Sequence, residues 1–85
     1  MEIQFSKPVG SEVGTVYRLA HAADCAIKLT SASGPHVRFT LPEASVEDHD
    51  RVIRALLTLD PDATVRTARA VYEGLEDFEK QRGKP

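Results

Sequence analysis

From Asp60 to Arg82 the chain reads D-P-D-A-T-V-R-T-A-R-A-V-Y-E-G-L-E-D-F-E-K-Q-R. Asp60 suits a helix N-cap, Pro61 the first helical position, and Asp62 the positive end of the helix dipole. At about 100° per residue, Val65, Ala68, Val71, Tyr72, Leu75 and Phe78 fall within an arc of roughly 140°. Arg66, Arg69, Glu73, Glu76, Asp77 and Lys80 fall on the other side. The spacing predicts one long amphipathic helix, and such a helix needs an apolar surface to cover.

A second helix precedes it. Ser45 with Asp48 three residues later resembles a capping box. Val46, His49, Val52, Ile53, Leu56, Leu57 and Leu59 then share one face, which predicts a helix from about Val46 to Thr58. The break at Leu59-Asp60 is short enough to force an antiparallel or angled helix pair.

The surface to be covered lies earlier. From Cys25 to Ser31 apolar and polar residues alternate, with Cys25, Ile27 and Leu29 on one side and Ala26, Lys28 and Thr30 on the other. From His36 to Leu41 they alternate again, with Val37, Phe39 and Leu41 inward and His36, Arg38 and Thr40 outward. The S-A-S-G-P connection makes the two runs an antiparallel hairpin. Ile3 and Phe5 mark a further short strand. Residues 12–23 support two readings. Gly14 and the Thr15-Val16 pair favour a strand; the shared face of Val13, Val16, Tyr17, Ala20 and Ala23, with Ser11 as a cap, supports a helix. The strand is the preferred reading. The expected fold is α+β: a small antiparallel sheet of three or four strands, covered on one face by two C-terminal amphipathic helices.

Eighty-five residues make one thin-cored domain, expected over residues 1–82, with 83–85 as a frayed tail. The net charge of −2 does not draw the chain to nucleic acid or to an anionic membrane. A single cysteine, Cys25, excludes an intramolecular disulfide, and its place on an alternating strand makes it a small core residue. With no signal-peptide pattern and no apolar run near the ~18 residues of a membrane span, a cytoplasmic protein is the expectation. Arg outnumbers Lys seven to four, a composition associated with GC-rich bacterial or phage genomes.

Two charged surfaces are candidates for binding a partner. In a three-stranded meander Arg18, Lys28 and Arg38 point away from the helices, joined by His36, Thr30 and Thr40, and this basic face suits an acidic protein surface or phosphate. The last helix offers Glu73, Glu76, Asp77 and Glu79 to a basic partner. Its end, near Leu75 and Phe78, is expected to overhang the sheet and to allow a homodimer. His21, His36 and His49 have no zinc-ligand spacing, and His49 reads as a boundary histidine on an apolar helix face. No phosphate-binding loop, nucleophile elbow or metalloprotease motif is present. No enzymatic activity, cofactor or metal is expected.

From His36 on, H-V-R-F-T-L-P-E followed by helix, turn and helix resembles the ribbon-helix-helix DNA-binding family. Val65-Arg66-Thr67-Ala68 is similar to the start of that family's second helix. The resemblance covers about half the chain, and it implies a dimeric DNA-binding regulator reading the major groove through His36, Arg38 and Thr40. In size and composition the chain also resembles compact phage or mobile-element inhibitors such as anti-CRISPR proteins. That likeness implies a small non-enzymatic regulator or inhibitor that binds a protein, the leading expectation, with DNA binding as the alternative.

Overall fold

The computed structural model describes residues 1–83. The elements run β1 (Glu2–Gln4), α1 (Glu12–Ala22), β2 (Lys28–Ser33), β3 (His36–Thr40), α2 (Val46–Leu59), β4 (Thr64–Arg66), β5 (Val71–Glu73) and α3 (Leu75–Arg82). The fold is α+β, with five strands and three helices where fewer of each were expected. All pairings are antiparallel in the order β2-β3-β1-β4-β5. Among the described residues no helix is long and apolar enough to cross a membrane.

The long C-terminal helix is the largest correction. Asp60 is the C-cap of α2, not the N-cap of a new helix, and its side chain is buried. Thr64–Arg66 and Val71–Glu73 form a hairpin, and only Leu75–Arg82 is helical. The residues themselves explain this. Thr64, Val65, Val71 and Tyr72 are strand formers. In the turn between them Thr67 accepts from the N–H groups of Arg69 and Ala70, a local bond that competes with helix. Gly74 has φ +107 and lets the Leu75 N–H reach the Pro61 carbonyl at 2.9 Å, so the chain turns sharply there. Phe78 is buried on α3 itself. Alternation within each strand and helical periodicity agree on Val65 and Tyr72, which are buried. They disagree on Val71 and Ala68, which are exposed, as alternation requires for Val71.

Residues 12–22 are helix rather than the preferred strand. Ser11 caps them, accepting from the Gly14 N–H at 3.0 Å, and a Cβ on Gly14 would stand 3.0 Å from that hydroxyl. The glycine read as a strand signal is thus a close approach inside a helix cap. The helix ends in a Schellman arrangement. Asp24 takes φ +56, its N–H donates to His21, and the Cys25 N–H donates to Ala20.

The hairpin and α2 are present as expected, but the first strand is Lys28–Ser33 rather than Cys25–Ser31: Cys25–Ile27 lie outside it, and Ser31–Ser33, read as loop, extend it to a tighter turn. Ser33 pairs with His36 across Gly34-Pro35, and Gly34 supplies the positive φ that a two-residue turn needs at its first central position. The register shifts between Leu29 and Ser31, leaving Thr30 in a bulge. Both bonds of the Ser45–Asp48 capping box form.

One core joins these elements. Ile3, Val37, Phe39, Val65 and Tyr72 from the sheet meet Val16, Ala20, Val52, Ile53, Leu56, Leu57 and Phe78 from the helices. Asp60 ties the end of α2 to the end of β1, taking bonds from the Ser6 N–H at 2.7 Å and the Ser6 hydroxyl at 2.5 Å. Gly83 closes α3 through a 2.8 Å bond to the Glu79 carbonyl. Lys84 and Pro85, the rest of the expected tail, lie outside the described residues.

Candidate functional site

Strand alternation sends one set of side chains into the core and the other onto a face that no helix covers. Cross-strand partners share a face, so the register fixes its rows. One row runs Ser31, Arg38, Glu2, Arg66, Val71; the next runs Ser33, His36, Gln4, Thr64, Glu73; Lys28 and Thr40 begin a third.

Glu2 is the centre of this surface. Arg38 Nη2 donates to Glu2 Oε2 at 2.9 Å, His36 Nε2 lies 3.8 Å from Oε1, and Arg66 faces Glu2 from the opposite strand. The Arg38 hydrogen bond lowers the Glu2 pKa below its ordinary value, burial opposes this, and the charges of Arg38, His36 and Arg66 add to the lowering. Two permanent cations, Arg38 and Arg66, thus flank the Glu2 carboxylate, and Lys28 adds a third at the β2 end of the same face. Lys28 and Arg66 have no ion-pair partner among the described residues. A shallow groove of about 250 Å3 lies between Ser31, Ser33, His36, Arg38 and Glu2.

Of the side chains expected on this face, Lys28, His36, Arg38 and Thr40 are brought together. Arg18 is not: it is exposed on α1, because residues 12–22 are helical. Arg66 belongs to the face but was assigned to a helix, and the alternation of Thr64-Val65-Arg66 was the signal that could have placed it.

The acidic set is dispersed. Glu73 is on the sheet face, at the β5 end of its row. Glu76 pairs with Lys80 at 3.6 Å in the open. Asp77 is occupied: it accepts from the Glu73 N–H at 2.9 Å and from Gln81 Nε2 at 3.2 Å, and these bonds, the Glu73 one first, lower its pKa. Elsewhere on α3, Arg82 binds Asp50 at 2.7 Å. Arg54 from α2 lies 4.9 Å over the Phe78 ring. Phe78 also meets Tyr72 edge-on at 5.0 Å and is fully buried, so the overhang expected to offer it to a second copy is absent.

The ribbon-helix-helix arrangement also meets a correction. It needs the strand carrying His36, Arg38 and Thr40 to pair with a second chain, but β3 is paired on both sides by β2 and β1. His49 behaves as a boundary histidine. Its Nδ1 is 2.8 Å from the Ser45 carbonyl, which only accepts, so that nitrogen carries the proton. Its ring lines a cleft of about 290 Å3 with Thr40, Leu41, Thr67 and Arg69. Cys25 is buried, and desolvation raises its thiol pKa, which disfavours the nucleophilic form.

No protein-family profile, curated protein or solved structure matches the chain.

Proposed function

We propose that this chain is a small, non-enzymatic regulator or inhibitor that acts in the cytoplasm by binding a protein through the open face of its sheet. The observation that carries the reading is the excess of Lys28, Arg38 and Arg66 over Glu2 and Glu73 on a sheet face without a helix layer. A flat, positively biased sheet face suits an acidic protein surface, and its charges steer encounter more than they add affinity. The aromatic side chains needed to stack bases are missing from its rows, which favours protein over single-stranded nucleic acid.

The test is capture of a partner by immobilised wild type and by a Lys28→Glu/Arg66→Gln variant. Arg38 is a poor position for charge reversal, because a glutamate there would face Glu2 directly. Lys28 and Arg66 are exposed and have no ion-pair partner among the described residues, so the variant should melt close to wild type. The expected result is loss of the partner with the fold intact. Retention of the same partner by the folded variant would contradict the reading, and salt-dependent binding of duplex DNA by wild type alone would replace it with a nucleic-acid one.

A further inference from the structure

We propose that the free edge of β2 receives an extended acidic segment of the partner protein, which joins the sheet as an added antiparallel strand. This rests on the protein-binding reading and narrows it to one edge and one kind of ligand.

The backbone comes first. β2 ends the sheet and has a strand on one side only. Among the described residues no side chain bonds to its backbone. The direction of its free groups follows from the ladder. Met1 and Phe39 exchange bonds at 2.7 and 2.8 Å, and the Phe5 N–H donates to the Pro35 carbonyl at 3.0 Å. Hydrogen-bonding residues alternate along an antiparallel strand, so Val37, midway between Pro35 and Phe39, turns its backbone groups toward β1. Its partner on the other side, Ala32, therefore points its own N–H and C=O away from β3, into the open. A donor and an acceptor on an exposed edge are what an incoming strand requires.

Charge then selects the ligand. Between Cys25 and Pro42 the chain has no Asp or Glu, while it has Lys28, His36 and Arg38. All three stand on the outer face of this hairpin. On the inner face of the edge, Leu29 is 36% exposed and Ala32 is exposed as well. An incoming strand with acidic side chains outward and small apolar ones inward meets Lys28 and the hydroxyls of Ser31 and Ser33 on the outer face and Leu29 and Ala32 on the inner one, with Arg38 and His36 one strand further in. A second copy of β2 does not: it would bring another lysine and no acid, and the Thr30 bulge hinders regular self-pairing.

The experiment uses the full chain, isotope-labelled, with a blocked synthetic peptide of about eight alternating Glu and Val residues, near the common strand length. Controls are the same peptide N-methylated at alternate residues and a Lys/Val counterpart. The expected result is amide exchange at Ala32 slowed at least about tenfold by the Glu/Val peptide, as for an amide entering a ladder. The N-methylated and Lys/Val peptides should bind at least about tenfold more weakly. Ala32→Pro removes the outward donor at an edge position that tolerates proline, and Lys28→Glu removes the charge without touching the backbone. Both should weaken the peptide by a similar factor.

Several results would overturn the proposal. If the peptide shifts Glu2, Arg38 and Arg66 while Ala32 exchange is unchanged, the ligand lies on the sheet face, and the protein-binding reading survives. If the peptide does not bind while wild type captures a partner that the Lys28→Glu/Arg66→Gln variant loses, the edge is excluded and that reading again stands. If neither peptide nor protein is bound, both fail. Protection at Ala32 that grows with protein concentration alone would assign the edge to a second copy.

Discussion

At one end of the sheet β5 has three residues with a helix folded against them; at the other, β2 has six residues and no neighbour on its outer side. Two of the backbone groups that β5 turns outward are bonded. Val71 O accepts from Gln81 Nε2 at 3.2 Å, and the Glu73 N–H donates to Asp77 Oδ2 at 2.9 Å. The match is geometric. Two residues along a strand span about 6.8 Å, and one i,i+4 step along a helix about 6 Å. The pair Asp77–Gln81 thus presents an acceptor and a donor at nearly the spacing that Glu73 and Val71 require. β2 keeps only a bulge and Lys28, devices that discourage self-pairing without occupying the edge. The difference teaches that exposure alone does not mark an edge as available; what matters is whether its outward groups already have partners.

The largest expected effect falls on both ends alike. Leu56 is fully buried on α2, which packs against α1 and α3. Leu56→Ala should cost roughly 2–5 kcal/mol in chemical denaturation, and amides at both edges should lose protection together. Loss at one end only would mean that the halves are separate cooperative units.

Gly74→Ala should separate the ends. Its φ of +107 is strained for alanine, and the new Cβ would lie 2.7 Å from the Pro61 carbonyl oxygen. The conformation alone should cost about 1–3 kcal/mol, with β5 amides losing protection before those of β3. A stability equal to wild type would mean that the β5–α3 corner does not depend on glycine.

Asp60→Ala removes the acceptor for both Ser6 donors and should cost about 1–3 kcal/mol. Burial works to raise the Asp60 pKa, but bonds from Ser6 and the Asp62 N–H outweigh it and hold it below the ordinary 3.8. A lowered folded-state pKa means that this contribution is complete above the unfolded value and is lost as pH falls through the folded one. The wild type's acid-limb stability should therefore fall more steeply than the variant's below about pH 4, in denaturation curves taken across that range.

The smallest effect is the most local. Asp77→Ala/Gln81→Ala should barely move the melting temperature but should speed Glu73 amide exchange by about tenfold or more, converting the closed edge into an open one.

The N-terminal edge was the more legible in sequence. Its hairpin rests on the alternation of His36–Leu41 and a Gly-Pro turn, both local, and Arg38 could be oriented from Val37 and Phe39, whereas the Thr30 bulge that shifts β2 left no sign in the alternation. α2 was equally plain because its capping box is written in Ser45 and Asp48. The C-terminal edge was not legible as such, since Val65, Tyr72 and Phe78 fall on one helical face and the strands carrying Val65 and Tyr72 are only three residues each. The Thr67 turn and Gly74, whose role depends on the distant Pro61 carbonyl, decide between helix and strand. The same ambiguity hid Arg66 from the candidate site. Asp77 read as a free acid because its bond to the Glu73 N–H exists only after the chain has turned at Gly74. Arg18 was misplaced with residues 12–22, where the Ser11 cap outweighed the β-branched pair.

The contrast between the edges can be measured without any partner. Native-state hydrogen exchange on the full chain reports the amides of Ala32 and Glu73 in one experiment. The expected result is a protected Glu73 amide and an Ala32 amide exchanging near its unstructured rate, a difference of about tenfold or more. An Ala32 amide as protected as Glu73 at low protein concentration would contradict an open β2 edge, and with it the place where the partner is proposed to bind.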